Sequence, residues 1–580
     1  MNDSYNDEQI VMTPTKRSRD HTTVTMERLR LSDMDQKNII HIGGGDHKGI
    51  VIYREPCYGK GSSKPPELVL GFKVLLKSSS SAKYVQENWQ LKFWFKKVQD
   101  HQKIESAEAF LNELVSSGNC PKDYVGFITK TMKLMQLKYK YIKKVEVEMK
   151  KQEEVKEYPT SPVSASSTVE KVNDTKLTAS QEKLLDIIEA VYPNSLSVIN
   201  IAKSSNICEE EVQEQLITLQ SRGLVKCLTS GNYMRTTKND TDVKMVKQMP
   251  MVAHNKQPVI AIITAQYCEK LAVDAMIDNK ETFVKFKTEG ESNVYTLGTV
   301  GPHRVVSTKL PATGMARGAI IAAGSTTTRL LGSFPRVDYV FLVGVGGGVP
   351  HYTDYAKHVR LGDVVVSSPP DSQHSYVYLY CEGTKNAFEE NDYLSPDHFS
   401  IKTWCPPSLK LQNIGYNLWR KGMSSMDDRS WEHYIEQSLK QLKDKESSFC
   451  RPSSDTDKLY MSIGGEDLME VGHPQPMEGA YDPRKPGMPV LHFGAVGSGK
   501  VLMQDDTTRL EFADHHGIMS FDTGFGSVVE SIFGNRKDDY VFIRGIADYK
   551  DGTKKKEWQP YAALAAAAVM KAIICNLDPE

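Results

Sequence analysis

Hydrophobic and polar positions follow two different rhythms in the C-terminal part of this chain. Short apolar runs bounded by polar or glycine-rich turns predict buried strands, and stretches with helical spacing separate them. Such alternation from residue 257 to 580 indicates an α/β domain with a largely parallel sheet covered by helices. We expect a long, irregular insertion within it at about residues 369–489. The strand-like runs are VIAIITA, HRVVSTKL, YVFLVGVGGG, DVVVSS, VLHFGAV and DDYVFIRGIAD.

The pattern of residues 176–238 predicts a small winged-helix domain. Amphipathic helices are predicted at Thr178–Val191, Leu196–Lys203 and Ile207–Arg222. The segment GLVKCLTSGNYMRTT then predicts a hairpin wing with Ser230-Gly231-Asn232 at its turn.

A winged helix normally reads DNA with its third helix, and here that helix is acidic. Glutamates facing a polyanion are unfavourable, although the wing supplies some cations. We therefore expect a protein-interaction or structural role and keep DNA binding as the less favoured alternative. The acids are Glu209, Glu210, Glu211 and Glu214, and the cations are Lys226, Arg235 and Lys238.

The N-terminal part shows a tail, a folded unit and a linker. Residues 1–36 are polar, and we expect them to be disordered. Residues 37–147 combine strand-like pieces with two helical patterns, which predicts an α+β unit of no recognised family. Its segment Trp89–Lys97 mixes aromatic residues with lysines. A nucleic-acid-binding surface has this composition, and so does a half-buried strand or helix. We favour the half-buried strand or helix. Residues 148–175 are charged, then rich in Ser, Thr and Pro, and predict a linker.

Composition excludes several classes of function for this chain of 580 residues. The net charge of −1 gives no general attraction to nucleic acid or a membrane surface. The nine cysteines contain no C-x-x-C pair and no paired His/Cys spacing, so we expect no disulfide framework and no zinc site. We also expect no other metal and no cofactor. The longest apolar run is too short to span a bilayer, and the first residues carry no signal-peptide pattern. We expect an intracellular protein of the cytoplasm or nucleus.

Two carboxylates are the candidate chemical groups of the α/β domain. Asp548 ends its last predicted strand, and Glu269 follows its first. Ligands of open α/β sheets sit at the carboxyl ends of strands, so the two acids are expected to meet in one cleft. Paired acids of this kind cleave glycosidic bonds, one as general acid and one as base. The alternative for Asp548 is that it caps a turn.

Three glycine-rich loops, LPATGMARGA, LVGVGGGVP and FGAVGSGK, border predicted strands or helices. None matches the phosphate-binding loop of nucleoside triphosphatases or the dinucleotide fingerprint. Tight packing produces the same pattern, so the loops do not support triphosphates or NAD.

An ordered series of motifs makes residues 257–580 resemble the nucleoside phosphorylase and nucleosidase superfamily, in the branch that is fused to other modules in large eukaryotic proteins. The resemblance implies a mixed sheet covered by helices. The motifs are AQYCEKLAVDAMID, LPATGMARGAI, FPRVDYVFLVGVGGGVP, VRLGDVVVSSP, CRPSSDTDKLY, HFGAVGSGKVLMQDDTTR and FIRGIADYKDGTKKKEWQPYAALAAAAVMKAI.

The resemblance assigns roles to the two acids. At the position of Asp548 the family has an aspartate that protonates N7 of a purine leaving group. At the position of Glu269 its hydrolytic members have a glutamate that deprotonates water. Phosphorylases use an arginine beside the central glycine-rich strand, and the segment Gly344–Gly348 contains none. Hydrolysis is therefore favoured over phosphorolysis, with Arg317 either an anion contact or a surface charge.

The resemblance also implies a substrate pocket and exposes one departure from the family. Gly346 and Gly347 would line the sugar side, Ser498 and Leu502 would lie near the base, and Trp558 would lie on a loop over the pocket. The family's acid-Met-acid sequence, which holds the sugar, is Asp522-Thr523-Gly524 here, so only its first acid remains. Loss of a charge-assisted hydrogen bond to the ribose should cost about 1.5–3 kcal/mol.

These observations lead to an ordered set of hypotheses. The favoured one is a purine-type nucleosidase that binds a small nucleoside. The alternatives are a catalytically impaired nucleoside-sensing or scaffold protein and, less favoured, a DNA-binding regulator. The resemblance further implies a homo-oligomer, and the winged helix implies a protein partner.

Overall fold

The computed structural model describes the chain in segments, and these segments fall into two compact units. The first unit comprises Met1–Ala165, Pro350–His358 and Ser454–Asp482, and the second comprises Ser166–Val349, Val359–Ser453 and Pro483–Glu580. The described residues are 8–17, 21–34, 36–44, 49–54, 64–77, 84–115, 121, 124–151, 177–228, 231–236, 243–247, 249, 256–285, 293–312, 314, 316–371, 375–384, 399–425, 428–442, 449–464, 467–476 and 482–579.

The α-helices and strands are numbered here in chain order. The helices are α1 Asp100–Leu114, α2 Tyr124–Leu137, α3 Ala179–Val191, α4 Val198–Ser205, α5 Glu209–Ser221, α6 Tyr267–Met276, α7 Arg317–Ser333, α8 Lys410–Ser424, α9 Ser430–Leu442, α10 Lys500–Gln504, α11 Asp506–His516, α12 Gly526–Gly534 and α13 Gln559–Cys575. The strands are β1 Glu8–Arg17, β2 His21–Arg30, β3 Ile39–Ile42, β4 Ile50–Tyr53, β5 Leu68–Lys77, β6 Tyr84–Phe95, β7 Ile142–Lys151, β8 Val225–Cys227, β9 Tyr233–Arg235, β10 Val243–Val246, β11 Ile260–Thr264, β12 Asp278–Lys285, β13 Asn293–Val300, β14 His303–Lys309, β15 Tyr339–Gly348, β16 Val364–Ser367, β17 Tyr378–Thr384, β18 Phe399–Trp404, β19 Leu459–Gly464, β20 Asp467–Val471, β21 Leu491–Ser498, β22 Ile518–Phe521 and β23 Asp539–Asp548.

The first unit is built on one sheet, whose described strands run in the order β19-β20-β5-β6-β7-β2-β1-β4-β3. Strand β6 shows the two-residue alternation of a half-buried strand, because Leu91 and Phe93 are fully buried while Lys92 pairs with glutamates of β7. Helices α1 and α2 cover this sheet, with Phe110 of α1 and Phe127 of α2 packed edge-on against β6 aromatics. The aromatic and basic segment is therefore a half-buried strand, the interpretation favoured from the sequence.

Three expectations about the N-terminal part and the insertion need correction. The predicted disordered tail contains β1 and β2, with Ile10, Val24 and Met26 buried in the sheet. Apolar side chains at every second position bury one face of a strand even when its average composition is polar. The α+β unit therefore begins before residue 37.

The insertion at 369–489 is not irregular, since it contains α8, α9 and β17–β20. Of the predicted linker, residues 148–151 belong to β7, and the remainder lies outside the described residues.

The winged helix in the second unit has the predicted elements. Helix α3 begins with a capping box between Thr178 and Gln181, and Ser197 caps α4. Asn206 ends α4 with φ of 56°, a left-handed conformation that asparagine tolerates and that turns the chain into α5. Strands β8 and β9 pair antiparallel as the wing, although the turn residue Ser230 lies outside the described residues.

The α/β part of the second unit contains a mixed sheet covered by helices. Its described strands run in the order β10-β12-β13-β14-β11-β15-β23-β16-β21-β17-β18, with β22 paired to β15 and β21. The central strands β14, β11, β15 and β23 are parallel, so their carboxyl ends meet at one edge. The alanine-rich helix α13 is almost entirely buried against this sheet. Among the residues that the structure describes, none of the helices has both the length and the apolarity needed to span a bilayer.

Candidate functional site

Glu269 lies in the first turn of α6, immediately after strand β11, and only 2% of it is exposed. One carboxylate oxygen, Oε2, accepts hydrogen bonds from the N–H groups of Ala265 and Gln266 at 2.7 and 2.8 Å. The other, Oε1, accepts from Val345 N–H of β15 at 2.8 Å. The carboxylate thus caps its own helix and continues the ladder between β11 and β15 beyond the end of β11.

Asp548 is the last residue of β23 and is 3% exposed. Its Oδ1 accepts from the N–H groups of Lys550, Asp551 and Gly552 at 2.7, 3.0 and 2.8 Å, and its Oδ2 accepts from Lys554 N–H at 2.6 Å. The carboxylate therefore organises the loop that follows it, as the turn-cap alternative predicts.

Burial raises the pKa of Asp548 above its usual value, although the amide groups of Lys554, Gly552 and Lys550 oppose the shift. A buried carboxyl with a raised pKa retains a proton more readily than a surface carboxyl does. That property suits a general acid, so capping the loop does not remove the acid from consideration.

The two acids reach the same edge of the sheet from opposite sides of β15. The strand order places β15 between β11 and β23, so Glu269 borders it on one side and Asp548 on the other. Glu269 binds at Val345, and Asp548 pairs with Gly347, two residues further along. Neighbouring strands lie about 4.8 Å apart, so the backbones of β11 and β23 are about 10 Å apart.

Close packing by the protein itself accounts for the glycines of β15. A Cβ atom on Gly344 would lie 2.5 Å from Oε1 of Glu269, and one on Gly347 would collide with the backbone of Lys550. Gly552 has φ of +84°, and a Cβ atom on it would lie 2.8 Å from the backbone of Gly346. The loop after Asp548 thus lies on Gly346 and Gly347, the residues that were expected to line the sugar side.

Asp522 is held in a buried ionic network. Its Oδ2 accepts from the Arg544 guanidinium at 2.9 Å, and both side chains are 1% exposed. Its Oδ1 accepts from the Tyr378 hydroxyl at 3.1 Å and from Gly524 N–H at 2.9 Å. Burial, with Asp522 next in importance, raises the pKa of Tyr378. Asp522 therefore supports the protein's own structure, and its role as a substrate ligand stays a prediction.

The other predicted site residues lie in different surroundings. Ser498 is buried and donates to the carbonyl of Asp522 at 3.0 Å, while Leu502 is buried in an apolar cluster. Trp558 ends the loop between β23 and α13, as expected, but its side chain is wholly buried and packs into the main core. Its ring packs edge-on against Tyr561, and the Arg451 guanidinium lies 5.5 Å from the ring centre. Arg317 is exposed at the first position of α7, as the surface-charge alternative predicts.

Sequence reasoning missed three buried polar groups around these acids: Arg544, Tyr378 and Lys309. Arg544 had a detectable signal, since a charged residue inside the apolar run YVFIRGIAD requires a buried partner. Lys309 lies in the segment HRVVSTKL, and no local pattern distinguishes it from a surface lysine.

The described residues hold no group of three or more His, Cys, Asp or Glu side chains that could bind a metal ion.

Residues 170–237 match the winged helix-turn-helix domain family. The described part of this segment has the helices and the wing of a winged helix. A curated relative, described as a nucleotide-binding leucine-rich repeat (NLR)-like protein of Hyaloscypha variabilis, is 27% identical over 314 residues, which is 54% of this chain. The chain spans 28% of the length of that relative.

Solved structures of nucleosidases are similar to about half of the chain. The 5'-methylthioadenosine/S-adenosylhomocysteine nucleosidase of Neisseria meningitidis is 14% identical with a TM-score of 0.32, covering 55% of this chain and 99% of that one. The futalosine hydrolase of Helicobacter pylori is 13% identical with a TM-score of 0.32, covering 56% and 100%. A putative 5'-methylthioadenosine/S-adenosylhomocysteine nucleosidase of Borrelia burgdorferi is 12% identical with a TM-score of 0.33, covering 54% of this chain and 98% of that one.

The winged helix presents an acidic third helix to solvent. Glu209, Glu210, Glu211 and Glu214 of α5 are all exposed. The wing cation Arg235 is 1% exposed, because it donates to Glu189 at 2.8 Å and to the carbonyls of Leu224 and Thr236. Arg235 is therefore unavailable to a phosphate backbone, contrary to its expected place on the wing surface, and Lys238 lies outside the described residues.

Proposed function

We propose that the α/β domain hydrolyses the N-glycosidic bond of a purine-type nucleoside, with Asp548 as general acid and Glu269 as general base. The observation that carries this proposal is the placement of two buried carboxyl groups at the carboxyl ends of β11 and β23, on either side of β15.

The environments of the two acids support different roles. Burial raises the pKa of Asp548, which favours the protonated form that donates to the purine ring as the glycosidic bond breaks. Glu269 receives three backbone N–H groups, and a carboxylate has about four acceptor sites. The remaining site would take the proton of the attacking water as its oxygen bonds to the sugar carbon. The products are the free base and the free sugar.

The proposal is tested with the full chain, adenosine, inosine and methylthioadenosine in phosphate-free buffer, following release of free base. Asp548→Asn and Glu269→Gln should each slow release about 100-fold or more, since general acid–base groups contribute roughly 10²–10⁴-fold. Asp338→Asn is the matched control, because that side chain is 60% exposed. Absence of release by the wild type, or wild-type rates in both acid variants, would refute the proposal.

A second candidate is a nucleoside sensor that binds without turnover. Asp522 is tied to Arg544 and Tyr378, and Gly524 replaces the second acid expected for the sugar clamp. Calorimetric titration with the same nucleosides separates the two functions. Saturable binding without release of base would support sensing, whereas release of base at steady state would support hydrolysis.

A further inference from the structure

A buried lysine fastens the winged helix to the α/β sheet beside Glu269. Lys309 is the last residue of β14, pairs with Thr264 of β11 and is 0% exposed. Its Nζ donates to the carbonyls of Ala190, Tyr192 and Leu310 at 3.0, 3.1 and 2.9 Å. All three ammonium hydrogens can thus be used, and two of the acceptors belong to the end of helix α3.

The C-terminal end of α3 is chemically suited to this cation. The last carbonyls of a helix have no partner inside the helix, and they carry the negative end of its dipole. Burying an ammonium group is costly unless hydrogen bonds satisfy it, so Lys309 and the end of α3 stabilise each other. Burial lowers the pKa of Lys309 to about 8, against the opposing influence of Glu269, Glu189 and Cys268.

Aromatic and ionic contacts complete the connection at the first turn of α6. The ring of Tyr192, which follows α3, packs edge-on against Tyr267 with centroids 5.3 Å apart. The Arg235 guanidinium lies 4.9 Å from the centre of the Tyr267 ring and bonds Glu189 of α3. Tyr267 begins α6, two residues before Glu269. We call these five residues, Glu189, Tyr192, Arg235, Tyr267 and Lys309, the joint.

We propose that Lys309 is a positioning residue for Glu269, and that the winged helix acts through the joint to hold the first turn of α6. The catalytic half of this statement rests on the proposed nucleosidase function. The structural half concerns the three amides that bind Glu269, namely Ala265, Gln266 and Val345. If the joint loosens, the carboxylate loses its fixed place between α6 and β15.

Hydrogen–deuterium exchange of the full chain tests the structural half. In Lys309→Met the amides of Ala265, Gln266 and Val345 should exchange about 10-fold faster relative to Ile543 of β23, an internal reference for global unfolding. Lys244→Met is the matched control, because that lysine is 58% exposed on β10 and should leave the ratio unchanged. Glu189→Gln weakens the joint more mildly and should raise the same exchange ratio by a smaller factor. If Lys309→Met does not fold, Glu189→Gln decides whether the joint holds the first turn of α6.

A kinetic and a pH measurement accompany the exchange experiment. In Lys309→Met, kcat should fall about 10-fold with KM within 2-fold of wild type, whereas a purely structural role would leave kcat of the folded protein unchanged. Because the folded environment lowers the pKa of Lys309, it favours the neutral amine, so raising the pH through about 8 should lower the exchange ratio in wild type and leave it unchanged in Lys309→Met. The groups facing Lys309 that also act on it are Glu189, Cys268 and Glu269.

The outcomes separate the two proposals. Unchanged exchange ratios in both joint variants would overturn the positioning role. If the wild type releases no base from any nucleoside, the proposed function fails, and the exchange ratios still decide whether the joint holds the first turn of α6.

Discussion

Gly344 shows how a single missing side chain sets the position of a candidate base. Glu269 reaches Val345 N–H of β15 across the place where a Cβ of residue 344 would stand. Any side chain there would push the carboxylate away from the strand. The glycine is thus required by a protein contact, and the same atoms would govern the chemistry of Glu269.

Gly344→Ala should therefore reduce nucleoside hydrolysis by at least about 10-fold, which is part of the roughly 10²–10⁴-fold that a positioned general base contributes. A Cβ at 2.5 Å from Oε1 must move either the strand or the carboxylate. Gly332→Ala in α7 is the control, because nothing lies within 4 Å of its Cβ position, and it should be stabilising by up to about 1 kcal/mol. Hydrolysis rates and thermal unfolding check both variants, and a fully active Gly344→Ala would contradict the argument.

Asp522→Asn should destabilise the fold by about 3–5 kcal/mol, because it leaves the buried Arg544 charge without its counter-ion. Glu281→Gln removes a carboxylate that pairs with Lys244, and both side chains are more than half exposed, so it should cost at most about 1 kcal/mol. Denaturant unfolding of the two variants compares a buried pair with a surface pair. Equal losses of unfolding free energy in the two variants would show that the buried pair contributes no more to stability than the exposed pair.

The candidate acids could be predicted from sequence, whereas most of their neighbours could not. Asp548 and Glu269 follow strands whose apolar runs are clear, and the ends of parallel strands meet at one edge. The burial of the Trp558 and Leu502 side chains in apolar packing could not be predicted, because a linear pattern does not show which side of an element faces the core. The burial of Lys309 could not be predicted, because its hydrogen-bond acceptors are carbonyls of a segment distant in the sequence.

Among the elements, the winged helix was the easiest to predict and the first two strands were the hardest. Thr178 and Ser197 are helix caps, and apolar residues recur at helical spacing behind them. Strands β1 and β2 contain many threonines and charged residues, so their average composition resembled that of a tail. Only pairing with neighbouring strands, such as β2 with β7, buries their alternating apolar residues.

The exposed acids of α5 lead to a prediction about DNA. The full chain should give no salt-dependent binding of duplex DNA at low ionic strength, because binding requires neutralised phosphates and α5 presents four carboxylates. A variant with Gln at Glu209, Glu210, Glu211 and Glu214 removes the repulsion and serves as the comparison. Gel-shift assays at increasing salt would check this, and wild-type binding that weakens with salt would favour the DNA-binding alternative.

At the scale of the whole molecule, the first unit is assembled from segments far apart in the chain. The hairpin β19–β20 joins its sheet by pairing with β5, so that Leu468 lies opposite Leu75 and Val471 opposite Phe72. The ion pair between Lys73 and Glu470 at 2.8 Å also links these strands. Such pairing across several hundred residues has no local signal, which is why the segment looked like an irregular insertion.

This discontinuity predicts the behaviour of a shortened chain. Residues 177–580 alone would keep the β19–β20 hairpin but lose β5, its sheet partner. Leu459, Met469 and Val471, each at most 2% exposed in the full chain, would then lie on an unpaired and uncovered hairpin. Exposed apolar strands with free edges associate with one another. The shortened chain should therefore bind an apolar dye and sediment as aggregates, while the full chain does neither.

Replacing Leu459, Met469 and Val471 by threonine in the shortened chain separates the hairpin from other causes of aggregation. Threonine keeps a high preference for strands and removes most of the apolar surface, so dye binding and aggregation should fall. A shortened chain that stays monodisperse without these replacements would show that the hairpin does not need β5, and that the first unit does not depend on its late segment for burial of these side chains.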